Sequence, residues 1–246
     1  MRTVRAMSLA LLFAVVATPA SAQVVQSLGF GIGWFSPRGF DTRVDGDVLV
    51  ADLTQPDVLP GVSGSLSFEI GKFRGTPLFG EWNVGLNKHL EISAGMSYYT
   101  KKVDSLYLDL VNGAKNNAEI EQDLRLRMIP ITAIARFLPF GDATGLQPYV
   151  GAGIAAVNFR YTETGEFVDP STFEIFNDRY TANGTAVGPV FLGGVRLPLG
   201  GDVYALTIEG RYQRVTGNTG GSAKGFLGDK IDLSGGTVNF GFLIRF

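Results

Sequence analysis

The amino-acid sequence predicts an all-β fold, namely an eight-stranded antiparallel up-and-down transmembrane β-barrel. Three observations predict it. Segments with apolar residues at every second position recur along the chain, which is the period of a strand with one apolar face. The connections between these segments are alternately long and short, as in barrels that cross a membrane. After an N-terminal export signal, the chain lacks any run of roughly 20 apolar residues, the length that a membrane helix needs.

The composition limits the function classes that need to be considered. The 246 residues suffice for one all-β domain, and only 18% of them are charged, while the mean hydropathy is +0.16. A net charge of −2 without a basic stripe speaks against a nucleic-acid-binding surface. The chain has no cysteine, which excludes disulfides, thiol catalysis and cysteine-ligated zinc.

The N-terminus has the three parts of a secretory signal peptide. Arg2 and Arg5 supply the positive charge, Leu9–Ala17 is the apolar core, and Ala20 to Ala22 form an A-x-A cleavage site. We therefore expect residues 1–22 to be a signal peptide and residues 23–246 to be the barrel domain.

The alternating segments divide the processed chain into eight predicted strands. They span residues 25–35, 62–86, 90–101, 124–138, 147–162, 179–197, 204–213 and 234–246. Four long connections are expected on the extracellular side and three short turns on the periplasmic side. The long connections span residues 36–61, 103–123, 163–177 and 217–230, and the last of them is glycine-rich and expected to be flexible.

The second predicted strand is interrupted. Its apolar face begins with Leu66, Phe68 and Ile70 and resumes at Leu78, and these side chains are expected to lie on one face of the strand. The segment Lys72–Pro77 lies between the two parts and could be a bulge, a kink or a short break.

The fourth predicted strand changes its apolar phase near Pro130. Arg125 and Arg127 lie opposite the apolar residues before this proline, and Arg136 lies opposite those after it. A charged side chain facing mid-bilayer lipid costs about 2–4 kcal/mol, so we expect all three arginines to face the lumen or an interface. That requires a phase change, and we predict a β-bulge at Met128–Pro130 because proline cannot donate to the strand ladder.

The last strand ends the chain on an aromatic residue, and its apolar residues fall on every second position. It resembles the C-terminal assembly signal of bacterial outer-membrane β-barrels, in which a polar residue, a glycine, a hydrophobic residue and a terminal aromatic residue have fixed spacing. Asn239, Gly241, Ile244 and Phe246 hold these places. The resemblance implies contact with the barrel-assembly machinery and with outer-membrane lipids. An edge strand of a soluble β-sandwich is the alternative.

A central hairpin carries a second resemblance. The segments from Pro130 to Pro139 and from Gln147 to Gly153 resemble the paired central strands of the OmpW-like and related small eight-stranded outer-membrane barrels. This resemblance implies location in the cell outer membrane and, for an OmpW-like barrel, passage of small hydrophobic solutes.

Aromatic residues near the strand ends are expected to form the girdles that mark the two membrane interfaces. They are Trp34, Tyr98, Tyr149, Tyr204 and Tyr212. Charged residues share a face with Gly, Ser and Thr, so the polar face is expected to be the lumen, the reverse of a lipocalin.

The predicted lumen charges are Glu69, Glu91, Arg125, Arg127, Arg136, Arg196, Glu209, Arg211 and Arg245. They could line a selective pore, or they could fill the interior as a salt-bridge network. Eight strands leave room only for side chains or one small ligand, and this size argument favours the network. Glu209 is expected to pair with Arg211 or Arg196.

Two other groups could carry chemistry. His89 is the only histidine and is followed by Glu91 and Ser93, but its predicted place at a periplasmic turn favours an ordinary turn residue. Five aspartates in the first long connection could hold calcium or magnesium, but their spacing does not fit a 12-residue calcium loop. They are Asp41, Asp45, Asp47, Asp52 and Asp57. We expect a solvated loop.

The sequence thus predicts an exported outer-membrane barrel that is not an enzyme and needs no cofactor, metal or nucleic acid. Two functions stay open. One is a narrow channel for small hydrophobic solutes, and the other is a non-transporting structural or surface-binding barrel that displays its extracellular loops. The sequence does not predict an oligomeric state.

Overall fold

A computed structural model describes residues 25–141, 145–169, 171–201 and 203–246. Within these residues, eight strands form one closed antiparallel ring. In chain order they are β1 Gln26–Pro37, β2 Leu78–Gly85, β3 Leu90–Asn112, β4 Ala118–Phe137, β5 Gln147–Val168, β6 Ile175–Pro198, β7 Tyr204–Gln213 and β8 Gly235–Arg245. The predicted signal peptide, residues 1–22, lies outside the described residues.

Each strand pairs with its neighbours in sequence, and β8 pairs with β1 to close the ring. Leu28 of β1, for example, is opposite Ile244 of β8 and Trp82 of β2. The amide of Gln26 donates to the carbonyl of Phe246 at 3.2 Å, on the side of the short turns. The predicted eight-stranded antiparallel up-and-down barrel is confirmed.

The strands fall into two length classes. β1, β2, β7 and β8 have 8 to 12 residues, close to the 9–11 or so that cross a bilayer. β3 to β6 have 20 to 24 residues, so these four strands continue beyond the membrane as a curved sheet. The predicted long connections 103–123 and 163–177 are therefore mostly strand.

The barrel can be divided where this extension begins. The membrane half comprises β1, β2, β7, β8 and residues 90–98, 131–137, 147–156 and 187–198. The extracellular half, which we name for the expected orientation of the long connections, comprises residues 99–112, 118–130, 157–168 and 175–186, together with the two connections 38–77 and 214–234, which fold inward.

The outward face of the membrane half is an apolar belt. On β1, Leu28, Phe30, Ile32 and Trp34 are each 48% to 52% exposed, and the other strands of this half present similar side chains. A closed barrel satisfies its backbone hydrogen bonds internally and can therefore place such a surface in hydrocarbon. The belt is the lipid-facing surface of the protein.

The polarity reverses in the extracellular half. Leu124 of β4 and Phe159 of β5 face inward and are almost completely buried. The outward face is polar, and the ammonium group of Lys102 lies 2.8 Å from the carboxylate of Asp123 there. This half therefore has an apolar core and a solvated exterior, as a soluble protein does.

The first connection, residues 38–77, supplies part of that core. It contains the short helix Val48–Leu53 and the short strand Leu66–Ser67, which pairs with β3. Val48 and Leu49 of the helix are fully buried. No helix in the part of the chain that the structure describes is long and apolar enough to cross a membrane.

The other inward connection, residues 214–234, includes the predicted flexible loop 217–230. It instead contains two short paired strands, Thr216–Asn218 and Lys230–Asp232, and it buries Phe226 and Ile231 in the extracellular core. This connection is a packed element of the fold.

The prediction that a barrel strand begins near Val62 is wrong. Leu66, Phe68 and Ile70 are only 6% to 9% exposed and pack in the extracellular core. Alternation shows that a strand has one apolar face, but it does not show whether that face meets lipid or a protein core. The membrane-spanning strand here is β2 alone.

The segment Lys72–Pro77, which the sequence left open, leads into β2. It begins within a 3₁₀ turn, Ile70–Phe73. The amide of Phe35 then donates to the carbonyl of Gly75 at 2.8 Å, which joins the segment to β1.

The predicted bulge at Met128–Pro130 is also wrong. β4 pairs with β5 in one register from end to end, so its even-numbered residues face inward throughout. Arg136 points into the lumen, whereas Arg125 and Arg127 lie on the outward face. The two outward arginines avoid lipid because they lie in the extracellular half, beyond the apolar belt.

The predicted aromatic girdles need one correction. Trp34, Tyr98, Tyr204 and Tyr212 lie on the outward surface as expected, but Tyr149 is buried in the lumen. Both faces of β5 are small or apolar around this residue, so the sequence did not show which face was inward.

Candidate functional site

The lumen of the membrane half is filled by six charged side chains, three carboxylates and three guanidinium groups. They are Glu81, Glu91, Glu209, Arg136, Arg196 and Arg211, which we call the charge cluster. They come from five different strands, and strand alternation turns each of them inward. Their formal charges balance.

Arg136 lies at the centre of the charge cluster. Its Nη2 donates to Glu81 Oε2 at 2.7 Å and to Glu209 Oε2 at 2.9 Å, and its Nη1 lies 3.3 Å from Glu91 Oε1. Nη1 also donates to the amide oxygen of Asn83. The side chain is only 1% exposed. Removing a charge from water costs several kcal/mol, so this guanidinium depends on its carboxylate partners.

The other two arginines complete the cluster. Arg196 donates to both carboxylate oxygens of Glu91, from Nη2 to Oε1 at 3.1 Å and from Nη1 to Oε2 at 3.3 Å. Arg211 Nη2 donates to Glu209 Oε1 at 2.7 Å. The predicted pairing of Glu209 with Arg211 is confirmed, while Arg196 binds Glu91 instead.

Tyr149 packs against the charge cluster from β5. The Cζ atoms of Arg136 and Arg196 lie 5.3 Å and 5.8 Å from the centre of its ring, within cation–π range. Its hydroxyl donates to Glu209 Oε2 at 3.2 Å. The ring and the ion pairs together cross the lumen.

Little space is left above the cluster. A gap between it and the extracellular core is lined by Phe35, Tyr99, Met128 and Thr132, among others, and has a volume of about 30 Å³. This volume holds about two water molecules. The arrangement is therefore a hydrogen-bonded network of ion pairs whose formal charges balance.

Five of the nine predicted lumen charges belong to the charge cluster, namely Glu91, Arg136, Arg196, Glu209 and Arg211. Arg245 is half-buried on β8 at the periplasmic mouth. The other three predictions are wrong. Glu69 is exposed in the first connection, and Arg125 and Arg127 face outward on β4. All three residues lie in the extracellular half, where apolar and polar residues still alternate but the outward surface no longer faces lipid.

Sequence reasoning missed two members of this site. Glu81 and Asn83 lie on β2 opposite the lipid-facing Trp82. The alternation that places Trp82 outward also places both of these residues inward, so the signal was present. It was obscured by the incorrect extension of this strand.

The predicted assembly signal lies on β8. Asn239 faces the lumen, where its Nδ2 donates to Glu209 Oε1 at 3.4 Å. A Cβ atom at Gly241 would lie 2.6 Å from a threonine hydroxyl of β7, so packing alone requires glycine there. Ile244 and Phe246 alternate with these inward positions. Recognition of the four residues by assembly machinery stays a prediction.

His89 lies in the exposed turn between β2 and β3. Its Nδ1 is 2.9 Å from the carbonyl oxygen of Leu138. Glu91 and Ser93 are buried in the lumen instead, and the carboxylate of Glu91 is bound by two arginines. The histidine is therefore held by the neighbouring turn.

The five aspartates of the first connection do not converge. Asp41 and Asp45 are exposed, and Asp57 accepts a hydrogen bond from the amide of Gly61 at 3.1 Å. Among the residues that the structure describes, no three His, Cys, Asp or Glu side chains are grouped to hold a metal ion.

The remaining two aspartates are buried, so the expectation of a solvated loop is wrong for them. Asp47 binds the guanidinium of Arg43 and accepts a hydrogen bond from the backbone amide of Asp232 at 2.8 Å. The second contact joins the two inward connections. Asp52 lies beside Glu163 of β5 in the extracellular half.

Asp52 and Glu163 form a buried acidic pair. Burial raises the pKa of Glu163 to about 7. Burial, reinforced by the negative charge of Glu163, holds the pKa of Asp52 well above its usual range. The pair therefore retains protons at a pH where exposed carboxyl groups would have lost them.

Comparison with known proteins shows the fold of the chain. No family model and no curated protein matches it. The outer membrane protein OprG from Pseudomonas aeruginosa superimposes with a TM-score of 0.50 and 11% identity, over 91% of this chain and 96% of that chain. Ail, the attachment invasion locus protein of Yersinia pestis, gives 0.43 and 10%, over 91% and 99%. Neisserial surface protein A gives 0.44 and 13%, over 90% and 97%.

At this level of identity, the likeness to OprG shows a shared fold, that of a small outer-membrane β-barrel. The apolar belt gives this chain the surface that such a barrel presents to lipid. The protein is therefore a transmembrane barrel of the outer-membrane type.

Proposed function

We propose that this protein is a non-conducting outer-membrane barrel that carries a folded extracellular half at the cell surface. The supporting observation is that side chains occupy the lumen in both halves of the barrel. The charge cluster crosses it in the membrane half, and an apolar core fills it in the extracellular half. The partners implied by this proposal are outer-membrane lipids and the barrel-assembly machinery.

The energetics of the charge cluster favour a permanently closed state. A passage would require Arg136 to move away from Glu81, Glu91 and Glu209. Breaking a buried ion pair costs about 3–5 kcal/mol when one partner is left uncompensated. Arg136 has three such partners, so an open lumen would be rare at equilibrium.

The alternative function, a narrow channel for small hydrophobic solutes, lacks a comparable observation. An apolar groove of about 550 Å³ lies beside Phe30, Ile32, Phe240 and Phe242. These residues belong to the outward faces of β1 and β8, so the groove meets lipid and does not enter the lumen.

Planar-bilayer recording with purified, refolded protein tests the proposal. The wild-type barrel is expected to give no stable single-channel current. Glu209→Gln removes a partner of Arg136 and Arg211 and is expected to lower the unfolding temperature without opening a conducting state. Stepwise currents from the wild type that Glu209→Gln alters, with little loss of thermal stability, would support the channel instead.

An epitope inserted between Asn116 and Asn117 tests the placement of the extracellular half. These residues form the exposed tip of the β3–β4 hairpin, and both have positive φ angles. Antibody is expected to label intact cells carrying this insertion. Insertion in the turn at Asn87 is the matched control and is expected to be labelled only after the outer membrane is opened. The reverse pattern would contradict the proposed orientation.

A further inference from the structure

A cavity of about 230 Å³ opens in the extracellular half, away from the charge cluster. Its walls come from the first connection, from β3 to β6 and from the second inward connection. We call it the acidic cavity. The lining residues that matter below are Asp52, Gln122, Glu163, Phe167, Phe176 and Tyr180.

Three buried acceptor oxygen atoms in this cavity lack a well-aligned donor. Asp52 Oδ2, Gln122 Oε1 and Glu163 Oε1 have no hydrogen bond of regular geometry, although their residues are only 2% to 5% exposed. The hydroxyl of Tyr161, which is also buried without a regular partner, is the donor beside the two carboxyl groups. The amide nitrogen of Gln122 donates to the carbonyl of Glu166 at 3.1 Å, which leaves its oxygen as the free acceptor. Buried polar atoms are nearly always satisfied. Once the two carboxyl groups have lost their protons, one phenolic hydroxyl cannot serve three acceptors, so the deprotonated site is short of donors.

The acidic cavity also lacks a counter-charge. No lysine, arginine or histidine is among its lining residues in the described part of the chain. The guanidinium of Arg43 is held by Asp47. The titratable groups linked most strongly to the acidic pair, Asp52 and Glu163, are acidic or phenolic. They are Asp47 from the first connection, Tyr107 from β3, Tyr161 from β5 and Tyr180 from β6. Uncompensated buried carboxylates are costly, and a cation would remove that cost.

Aromatic rings form one wall of the cavity. The ring centroid of Phe167 lies 6.0 Å from that of Phe176 and 4.8 Å from that of Tyr180. Gly225 has a φ of +79°, and a Cβ atom there would lie 2.3 Å from the ring of Tyr180. Only glycine at this position avoids a clash with that ring. Aromatic faces attract cations within about 6 Å of the ring centre.

We propose that the acidic cavity binds a small organic cation. Its ammonium group would contact Asp52, Glu163 and the amide oxygen of Gln122, and its carbon atoms would contact the aromatic wall. A volume of 230 Å³ exceeds the roughly 150 Å³ that accommodates benzene, which suits a primary amine or a diamine, whose N–H groups can donate to these oxygen atoms. A calcium ion fits less well because it takes about 6–8 oxygen ligands.

This inference goes beyond the proposed function and shares with it only the placement of the extracellular half outside the membrane. A barrel that proved to conduct could still bind the cation. A barrel that failed to bind it could still be closed. The conductance experiment and the binding experiment therefore test the two proposals separately.

Isothermal titration of the purified full barrel in detergent with 1,4-diaminobutane and with butylamine tests the proposal. Both amines are expected to bind near pH 8. At pH 5 their affinity should be about tenfold or more lower, because the carboxyl groups of the acidic pair hold protons there. Their neutral counterparts, 1,4-butanediol and 1-butanol, are expected not to bind. Equal binding of the neutral counterparts would overturn the proposal.

Two variants and a matched control locate the site. Glu163→Gln and Asp52→Asn should each weaken amine binding by about tenfold or more, because each removes a charge that the cation needs. Glu166→Gln should leave binding unchanged, since that side chain pairs with Lys115 outside the cavity. Glu163→Gln should also keep or raise the unfolding temperature, which a purely structural role would not produce.

Three further results would overturn the proposal. One is amine binding that Glu163→Gln leaves intact. Another is the absence of binding by folded wild-type protein to either amine at millimolar concentration. The third is displacement of the amines by calcium ions at lower concentration, which would identify a metal site instead.

Discussion

The membrane half and the extracellular half share four strands but bury opposite kinds of side chain. On the inward face of β4, Arg136 belongs to a charged lumen, whereas Leu124 belongs to an apolar core. On the outward face of the same strand, Ile131 meets lipid, whereas Arg125 is solvated. The surrounding medium, and not the strand itself, decides which kind of residue lies inside.

The physical reason is that water and lipid favour the burial of different kinds of side chain. Water drives apolar side chains into a core, and this term dominates the stability of the extracellular half. Lipid is as apolar as leucine, so burying leucine in the lumen would gain little in the membrane half. There the interior can hold ion pairs, provided that each buried charge has its partners.

The largest expected effect comes from removing the centre of the charge cluster. Arg136→Met leaves Glu81, Glu91 and Glu209 without their shared cation and should lower the free energy of unfolding by about 3–5 kcal/mol. Urea unfolding in lipid vesicles, followed by tryptophan fluorescence, measures this loss.

Arg125→Met is the matched control on the outward face of the extracellular half. It should change the free energy of unfolding by no more than about 0.5 kcal/mol, as surface substitutions usually do. If the two variants were equally destabilised, the contrast between the two faces of β4 would not hold.

A second prediction tests where the apolar belt ends along β5. Ile154 and Thr164 both lie on the outward face, and both are exposed. Ile154→Arg should cost about 2–4 kcal/mol because it places a charge in hydrocarbon. Thr164→Arg should cost almost nothing because its side chain meets water. Similar unfolding midpoints for the two variants would place the boundary of the membrane half elsewhere.

The smallest expected effect is a pH dependence confined to the extracellular half. The pKa of Glu163 is raised to about 7 in the folded protein and returns to about 4.3 on unfolding. The folded state therefore binds the proton more tightly, and the stability present below about pH 4 is lost as the pH rises through 7.

The free energy of unfolding should accordingly fall by on the order of 2 kcal/mol between about pH 4.5 and pH 8. Glu163→Gln should reduce this slope and leave the part that comes from the burial of Asp52, which urea unfolding at several pH values would show. A wild-type stability that rises with pH over this range would contradict the assignment of the acidic pair.

The sequence predicted the membrane half well because one rule governs it. Alternation on β1, β3, β7 and β8 identified the lipid-facing residues, and the same period placed Glu91, Arg136, Arg196, Glu209 and Arg211 in the lumen. Pairing partners within the lumen were harder to predict, since they depend on the three-dimensional positions of side chains from five strands.

The extracellular half was largely missed because the same pattern has the opposite meaning there. Leu66, Phe68 and Ile70 alternate as lipid-facing residues do, yet they fill a core. The phase change at Pro130 likewise marks the place where the medium changes, and not a bulge. Asp52 and Glu163 meet only because a connection folds inward, which no local pattern indicates.

The unbroken pairing of β4 with β5 has a mechanical consequence. The ladder runs in one register from Gln122 opposite Gly165 to Phe137 opposite Val150, so it offers no hinge along these residues. The β3–β4 pairing shifts its register only nearer the tip, between Leu106 and Val111. At about 3.3 Å per residue and with a tilt near 40°, the part beyond the lipid rises roughly 30 Å. A molecule that contacts the tip from outside the cell would therefore find it at a constant height above the membrane, because the support below it is stiff.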